Sequence, residues 1–381
     1  MTEEAGSARS NLSGFLTGEF LHQHGEETPL LTGDAAFQPH ISSMGNASGY
    51  GAVRPAPSVP MDDASQHVWP EMCTLAKFTV PICATHLLEL SLSVVSVLSL
   101  GHLGTVELAS ASLAGITANV TGFSVISGLV SALDTLLPAS YTRQPHLMGL
   151  WTQRVGLMVF AVLPLIFVLW LNAERGLILL GQDPDIAYNA RQFLMVLSFG
   201  LPGVAIFELC RRFLQAQGMM HAPTVVLIIV SPLNAVANFF LVWGPERYRI
   251  GFLGAPMASA LSMWLMAALC AVQCAVACRD TWGGFSRDVW DPAALRTCVS
   301  LGSAGLISLA SEWWAWEIVG LVTAALGTRA LASQSVLLVL SSVTYQIPFA
   351  AAVAASVRVG NLLGAMHASS ARTASYAAVV L

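Results

Sequence analysis

Ser311-Glu312-Trp313-Trp314-Ala315-Trp316-Glu317 sets two carboxylates among three indoles inside a strongly apolar stretch. An ionisable group at mid-helix in a bilayer costs about 2.5–3.5 kcal/mol even on permissive insertion scales, so each one needs a reason. On a helix, positions 312 and 317 lie about 140° apart with roughly 7.5 Å of rise between them. An unbent helix cannot aim both into one narrow cavity. One acid is therefore expected to face a central cleft and the other a crevice between helices. The indoles restrict water and make charge on a carboxylate expensive. An acid in that setting can take up a proton from an acidic compartment and lose it in the cytosol. The faces of Trp313 and Trp316 can attract a cationic substrate. The alternative is a structural carboxylate bonded across helices.

Other polar residues fall at comparable depth. His86 and Glu89 share one helical face, suited either to a second proton site or to a helix contact. Asn119, Asn234 and Asn238 can bond across helices or line a cavity. Tyr345 and Gln346 precede Pro348, where a broken helix would expose carbonyls to a cavity. Asp134 is expected to fix a loop by pairing with Arg143. Cys270, Cys274 and Cys278 form a stripe better explained by packing of small residues than by a metal.

The elements that must position these groups are membrane helices. The chain has 381 residues, 55% hydrophobic and 10% charged, against about 25% charged in an ordinary soluble domain. Residues 1–70 form a polar tail, expected to be disordered and cytoplasmic. Within it, Glu26-Glu27-Thr28-Pro29-Leu30-Leu31 has the spacing of an acidic di-leucine sorting signal, a pattern short enough to arise by chance. From residue 71 onward, apolar runs long enough to cross about 30 Å of hydrocarbon follow one another. They are Leu75–Leu100, Leu108–Leu133, Val155–Leu171, Phe193–Leu209, Val225–Trp243, Met257–Cys278, Ser300–Leu326 and Leu331–Val357, with a ninth starting near Ala374. Lacking alternation and too long for strands, they predict an all-α polytopic membrane protein. With the tail in the cytoplasm, Arg175, Arg191, Arg247, Arg249 and Arg329 fall on the far side. The other twelve of seventeen Lys and Arg fall on the tail side, which favours a cytoplasmic N-terminus.

The chain also repeats itself. Residues 103–112 match residues 326–335 at seven of ten positions, at an offset of 223 that carries Glu89 onto Glu312. Six spans separate the copies, so both run in the same sense, as in one class of secondary transporters. The expected domains are a six-helix lobe at 71–293 and a partial second lobe at 294–381, holding spans 7 and 8 and the start of a ninth. A second copy as long as the first would outrun residue 381 by about four spans, as for a truncated product or an incomplete gene model.

These features come with a family resemblance. Gly101-His102-Leu103-Gly104, Asn119-Val120-Thr121-Gly122, Leu214-Gln215-Ala216-Gln217-Gly218, Glu312-Trp313-Trp314 with Glu317, and Ser356-Val357-Arg358-Val359-Gly360-Asn361 stand in the order of the multidrug and toxic compound extrusion (MATE) family. The chain resembles its eukaryotic branch in particular. The resemblance implies a twelve-helix fold of two six-helix lobes. It also implies antiport of organic cations or toxic metabolites against protons or sodium ions. Glu312 and Glu317 match the glutamates that branch uses in its second lobe, and Asn119 matches a cavity asparagine. The acidic signature of the sodium-type branch is absent from span 1, where Glu89 holds its own position, so protons are favoured over sodium.

Several function classes drop out. The only lysine, Lys77, has no Gly-rich phosphate loop before it, which excludes an ATP motor of that kind. A net charge of −5 without a basic run argues against nucleic-acid binding. No cofactor is required, and no catalytic constellation points to an enzyme. The expected function is proton-driven export of a small cationic substrate across a vacuolar or lysosomal-type membrane or the plasma membrane. Glu312, Glu317 and Glu89 would carry the proton or cation. Asn119, Trp313, Trp316, Tyr345 and His86 would line the substrate cavity. A lipid or lipid-linked metabolite flippase is the alternative, although it would favour an arginine-lined cavity; a non-transporting truncated product is another.

Overall fold

A computed structural model describes residues 68–325 and 328–381; the tail and its di-leucine motif lie outside the described residues. The described residues are almost wholly helical, with no strand among them. Seven helices are long and apolar enough to cross a membrane, and a bent pair supplies an eighth crossing. In chain order the crossings are α1 (Val68–Gly101), α2 (Thr105–Arg143), α3 (Pro145–Leu171), α4 (Pro184–Ser198 bent by 50° onto Leu201–Ala216), α5 (His221–Trp243) and α6 (Gly251–Ala277). Then come α7 (Pro292–Ala325), α8 (Thr328–Gly364) and the shorter α9 (Ala368–Val380). This is a multi-pass membrane protein.

Helix ends differ from the hydropathy pattern where sequence punctuation intervenes. The apolar run at 193–209 straddles the bend of α4, where Gly200 and Pro202 interrupt the helix. Pro202 lies in the first turn of the second half, where its missing N–H costs nothing. α2 is not uniform: Asn119–Phe123 form a π-helical turn and Ser131 a second break. α8, by contrast, runs without interruption through Pro348, so the expected break there is absent. Its neighbours and long apolar flanks hold it straight enough to tolerate one missing bond.

The repeat is visible in the helix ends themselves. Shifted by 223 residues, α1 would span 291–324 and α2 would start at 328, within one residue of the starts and ends of α7 and of the start of α8. The two copies also exchange partners, α1 packing on α8 and α2 on α7. That crossed pairing is what an axis along the membrane normal produces. The fold is two lobes related by a parallel pseudo-repeat. The described residues supply six crossings of the first lobe and α7, α8 and α9 of the second.

Hydroxyl pairs and small residues hold the helices together where apolar packing alone has no driving force in lipid. Thr85 of α1 and Thr224 of α5 are 2.7 Å apart; one hydroxyl donates to the other, and the accepting one donates to the Pro81 carbonyl, which lies within reach of both. Ser91 meets Ser231 at 2.8 Å, again between α1 and α5. Asn234 and Asn238 are fully buried, bonding to Ser262 of α6 (2.9 Å) and to each other (3.1 Å), so they serve helix contact and not a cavity. At the α2–α7 crossing a side chain on Gly128 would meet the Leu306 backbone at 2.6 Å, whereas one on Gly115 would meet nothing. Gly128→Val should therefore lower stability by about 1–3 kcal/mol by overpacking. Gly115→Ala should be neutral or better. Thermal unfolding of both variants in detergent checks the contrast.

Candidate functional site

The acids that the sequence singles out belong to two separate groups joined by aromatic rings. On α7, Glu312 is half-buried, and its carboxylate lies near the Tyr345 hydroxyl of α8. Trp313 beside it is half-buried; Trp316 is exposed along the helix. Trp314, also exposed, donates its indole N–H to the Val120 carbonyl at 3.4 Å. That carbonyl belongs to the π-helical turn of α2, where the regular ladder is disturbed, and it also accepts from the Ser124 hydroxyl at 2.8 Å. α7 continues unbent through residues 312–317. The side chain of Glu317 lies outside the described residues.

From Tyr345 the chain of contacts crosses to the first lobe. Tyr345 lies 5.7 Å from Phe349, and Phe349 meets the His86 ring of α1 edge-on at 5.1 Å. His86 Nδ1 stands 3.2 Å from Glu89 Oε2. Glu89 in turn accepts from Arg211 Nη1 at 2.8 Å, and Arg211 Nη2 donates to Glu208 at 2.7 Å. Arg211, with a side chain 5% exposed, is thus clamped between two carboxylates and lies over the Phe207 ring. Arg212 pairs with Asp134 at 3.0 Å. Asp134 therefore fixes α2 against α4, not the loop at Arg143, because Arg212 projects from a helix packed directly on it. Both arginines lie inside α4 and are buried; a loop position outside the span, which the hydropathy pattern assigns them, is wrong. Their carboxylate partners let the helix continue past the apolar run.

Asn119 is exposed at the start of the π-helical turn, in line with Thr105, Ala109, Ser112 and Ile116 on the same face of α2. It is not in contact with the Glu312–Tyr345 pair. The cysteine stripe gains a member from α4: Cys274 donates to the Cys210 carbonyl at 3.7 Å. No group of three ligand-type residues among the described residues is placed to hold a metal. The residues that sequence reasoning missed are Glu208, Arg211 and Phe349. The first two stand three apart on a helix, a spacing that marks a pair. Nothing local marks Phe349, whose role depends on where α1 passes.

The MatE family profile matches residues 81–240 and 306–381, covering both copies of the repeat. The chain belongs to the MatE family. It is 40% identical to an uncharacterized transporter of Schizosaccharomyces pombe, over 85% of this chain and 60% of that protein. It is 35% identical to multidrug and toxin extrusion protein 2 of Mus musculus, over 79% of this chain and 52% of that one. The crystal structure of the eukaryotic MATE transporter AtDTX14 superimposes with a TM-score of 0.76 at 29% identity, over 82% of this chain and 70% of that one. The chain thus spans about 60% or less of the length of these two relatives.

Within this MatE chain the α1–α4 clamp makes a direct prediction. Arg211→Gln leaves Glu208 without its cation and Glu89 with His86 alone, in low dielectric, and should cost about 3 kcal/mol or more. Adding Glu89→Gln and Glu208→Gln to it should recover most of the loss. Thermal denaturation of the single and triple variants measures both steps.

Proposed function

We propose that this MatE protein exports small organic cations, drugs or toxic metabolites in exchange for protons. The observation that carries the reading is the Glu312 carboxylate, half-buried at mid-crossing beside Trp313, near the neutral Tyr345 hydroxyl and without an ion pair among the described residues. A carboxylate near a neutral hydroxyl can be protonated without breaking an ion pair. A carboxylate clamped by arginine, such as Glu89, gives up its charge at greater cost. Glu312, with Glu317 one and a half turns on, is accordingly the principal proton and cation site. Glu89 with His86 is a subsidiary one, reached through Phe349. Asn119, Trp313, Trp316, Tyr345 and His86 line the route of the cargo, whose positive charge the indole faces favour. Names of relatives, multidrug and toxin extrusion protein among them, agree with such a cargo.

In this reading residues 71–293 act as one lobe and residues 294–381 as part of the other, and the cavity between them opens to each side in turn. The tail lies in the cytoplasm by the distribution of arginines. The membrane is the plasma membrane or that of an acidic, vacuolar or lysosomal-type compartment. Protons are favoured over sodium because α1 lacks the acidic signature of the sodium-type branch and Glu89 holds its own position there. No cofactor and no covalent chemistry enter. A phospholipid-type anionic cargo is disfavoured at Arg211, Arg212 and Arg358, each of which already pairs with a carboxylate.

Each pH unit across the membrane supplies about 1.4 kcal/mol per proton, roughly a tenfold gradient of a cation exchanged one for one. In proteoliposomes loaded with a fluorescent organic cation, acidifying the outer face should accelerate its efflux, and reversing the gradient should reverse net flux. Glu312→Gln and Glu317→Gln should each abolish the response to pH. Unchanged pH-driven flux in both variants would refute the assignment.

A further inference from the structure

At the end of the bundle where α1 begins, a buried ion pair joins the two copies of the repeat. Glu71, in the first turn of α1, is 2% exposed. Arg358, near the end of α8, grips it with two bonds, Nη2 to Oε1 at 2.7 Å and Nε to Oε2 at 3.0 Å. The partners are 287 residues apart in sequence and belong to different copies of the repeat. Planar two-point pairing of this kind fixes geometry as well as charge. Around it the seal combines an apolar cluster, Leu75, Ala354 and Val357 among its members, with polar contacts. Thr142 donates to the Asn361 carbonyl at 2.8 Å, and Asn361 donates to the Ala216 carbonyl at 3.3 Å. A side chain on Gly360 would strike Pro138 at 2.6 Å, so α8 and α2 touch backbone to ring.

A buried ion pair is a poor source of net stability compared with apolar packing of the same volume. Its use at this position points to a different role. Separating Glu71 from Arg358 near the ends of their helices hands two charges back to water. Separating Thr142 from Asn361 likewise hands back polar groups. The polar contacts of the closed arrangement are specific, yet each has a hydrated alternative, whereas the apolar contacts of Leu75 and Val357 favour closure without fixing it. We propose that Glu71 and Arg358 form a lock that keeps the tail-side face of the cavity shut and must part whenever the cavity opens to that side. The lock rests on the alternating access of the proposed transport cycle, but its readout requires neither the cargo nor the coupling ion.

Val357, 4% exposed and packed with Leu75 across the same interface, is a reporter. Val357→Cys in the full chain would be treated with an impermeant maleimide in detergent, and alkylation at that position read by peptide mass spectrometry. Glu71→Gln or Arg358→Gln should raise the labelling rate about tenfold or more, since a broken buried pair strongly disfavours the closed form. The exchanged pair, Glu71→Arg with Arg358→Glu, should bring the rate back towards that of the parent. If the single variants do not fold, Glu71→Ala with Arg358→Ala leaves no lone charge and should label as an open protein. Folded variants that stay as protected as the parent would overturn the lock, as would an exchanged pair that folds and stays open. Loss of pH-driven flux with labelling unaffected would bear on the transport reading alone.

Discussion

Hydrocarbon offers no partner to a polar group, so every charge this chain carries into the membrane has to be met by another part of the chain. Arg211 meets Glu89 and Glu208, Arg212 meets Asp134, and Arg358 meets Glu71. Except for Glu208, each carboxylate comes from a different helix than its arginine, so pairing the charges also decides which helices lie side by side. α4 is drawn to α1 and α2 inside the first lobe, and α8 is drawn to α1 across the lobes. The hydroxyl pairs between α1 and α5 repeat the same logic with neutral groups.

Two rods, α1 and α8, carry both ends of the proposed machinery. Glu71 and His86 lie on α1; Arg358, Phe349 and Tyr345 lie on α8. A displacement of one rod against the other therefore alters the tail-side seal and the central contacts together. Glu312 joins this system through Tyr345, and α7 joins it a second time through Trp314 and the disturbed turn of α2. Protonation or cargo binding near Glu312 thus acts on elements that also hold the seal, without a separate transmission device. The aromatic bridge of Phe349 to His86 suits this arrangement because ring edges slide past one another at little cost, whereas ion pairs do not.

Much of the architecture was legible before any coordinates. Eight apolar runs, the offset of 223 and the match of Glu89 to Glu312 imply the crossings and their pseudo-repeat, because membrane thickness and internal duplication are both written in one dimension. The failures share a cause. Arg211 and Arg212 read as loop residues because hydropathy counts charge without knowing whether a carboxylate waits on the next helix. Asp134 was paired with Arg143, its neighbour in sequence, when Arg212 was its neighbour in space. Pro348 reads as a break, although flanking helices hold α8 continuous. The cysteine stripe on α6 was visible, but not that Cys210 of α4 completes it.

Composition and periodicity alone determined that the chain crosses the membrane, how often, and in two copies of the same sense, since burial in lipid requires long apolar helices whatever their neighbours. They also singled out Glu312 and Tyr345 as residues needing an explanation. Only the tertiary structure decided which polar residues are structural and which stand free. Asn234, Asn238, Asp134 and Arg211 are consumed by contacts from other helices, while Glu312 has no ion pair among the described residues and lies near a neutral hydroxyl. The reason is that the energy of a buried polar group depends on atoms a few ångströms away, and in a helical bundle those atoms come from residues far away along the chain.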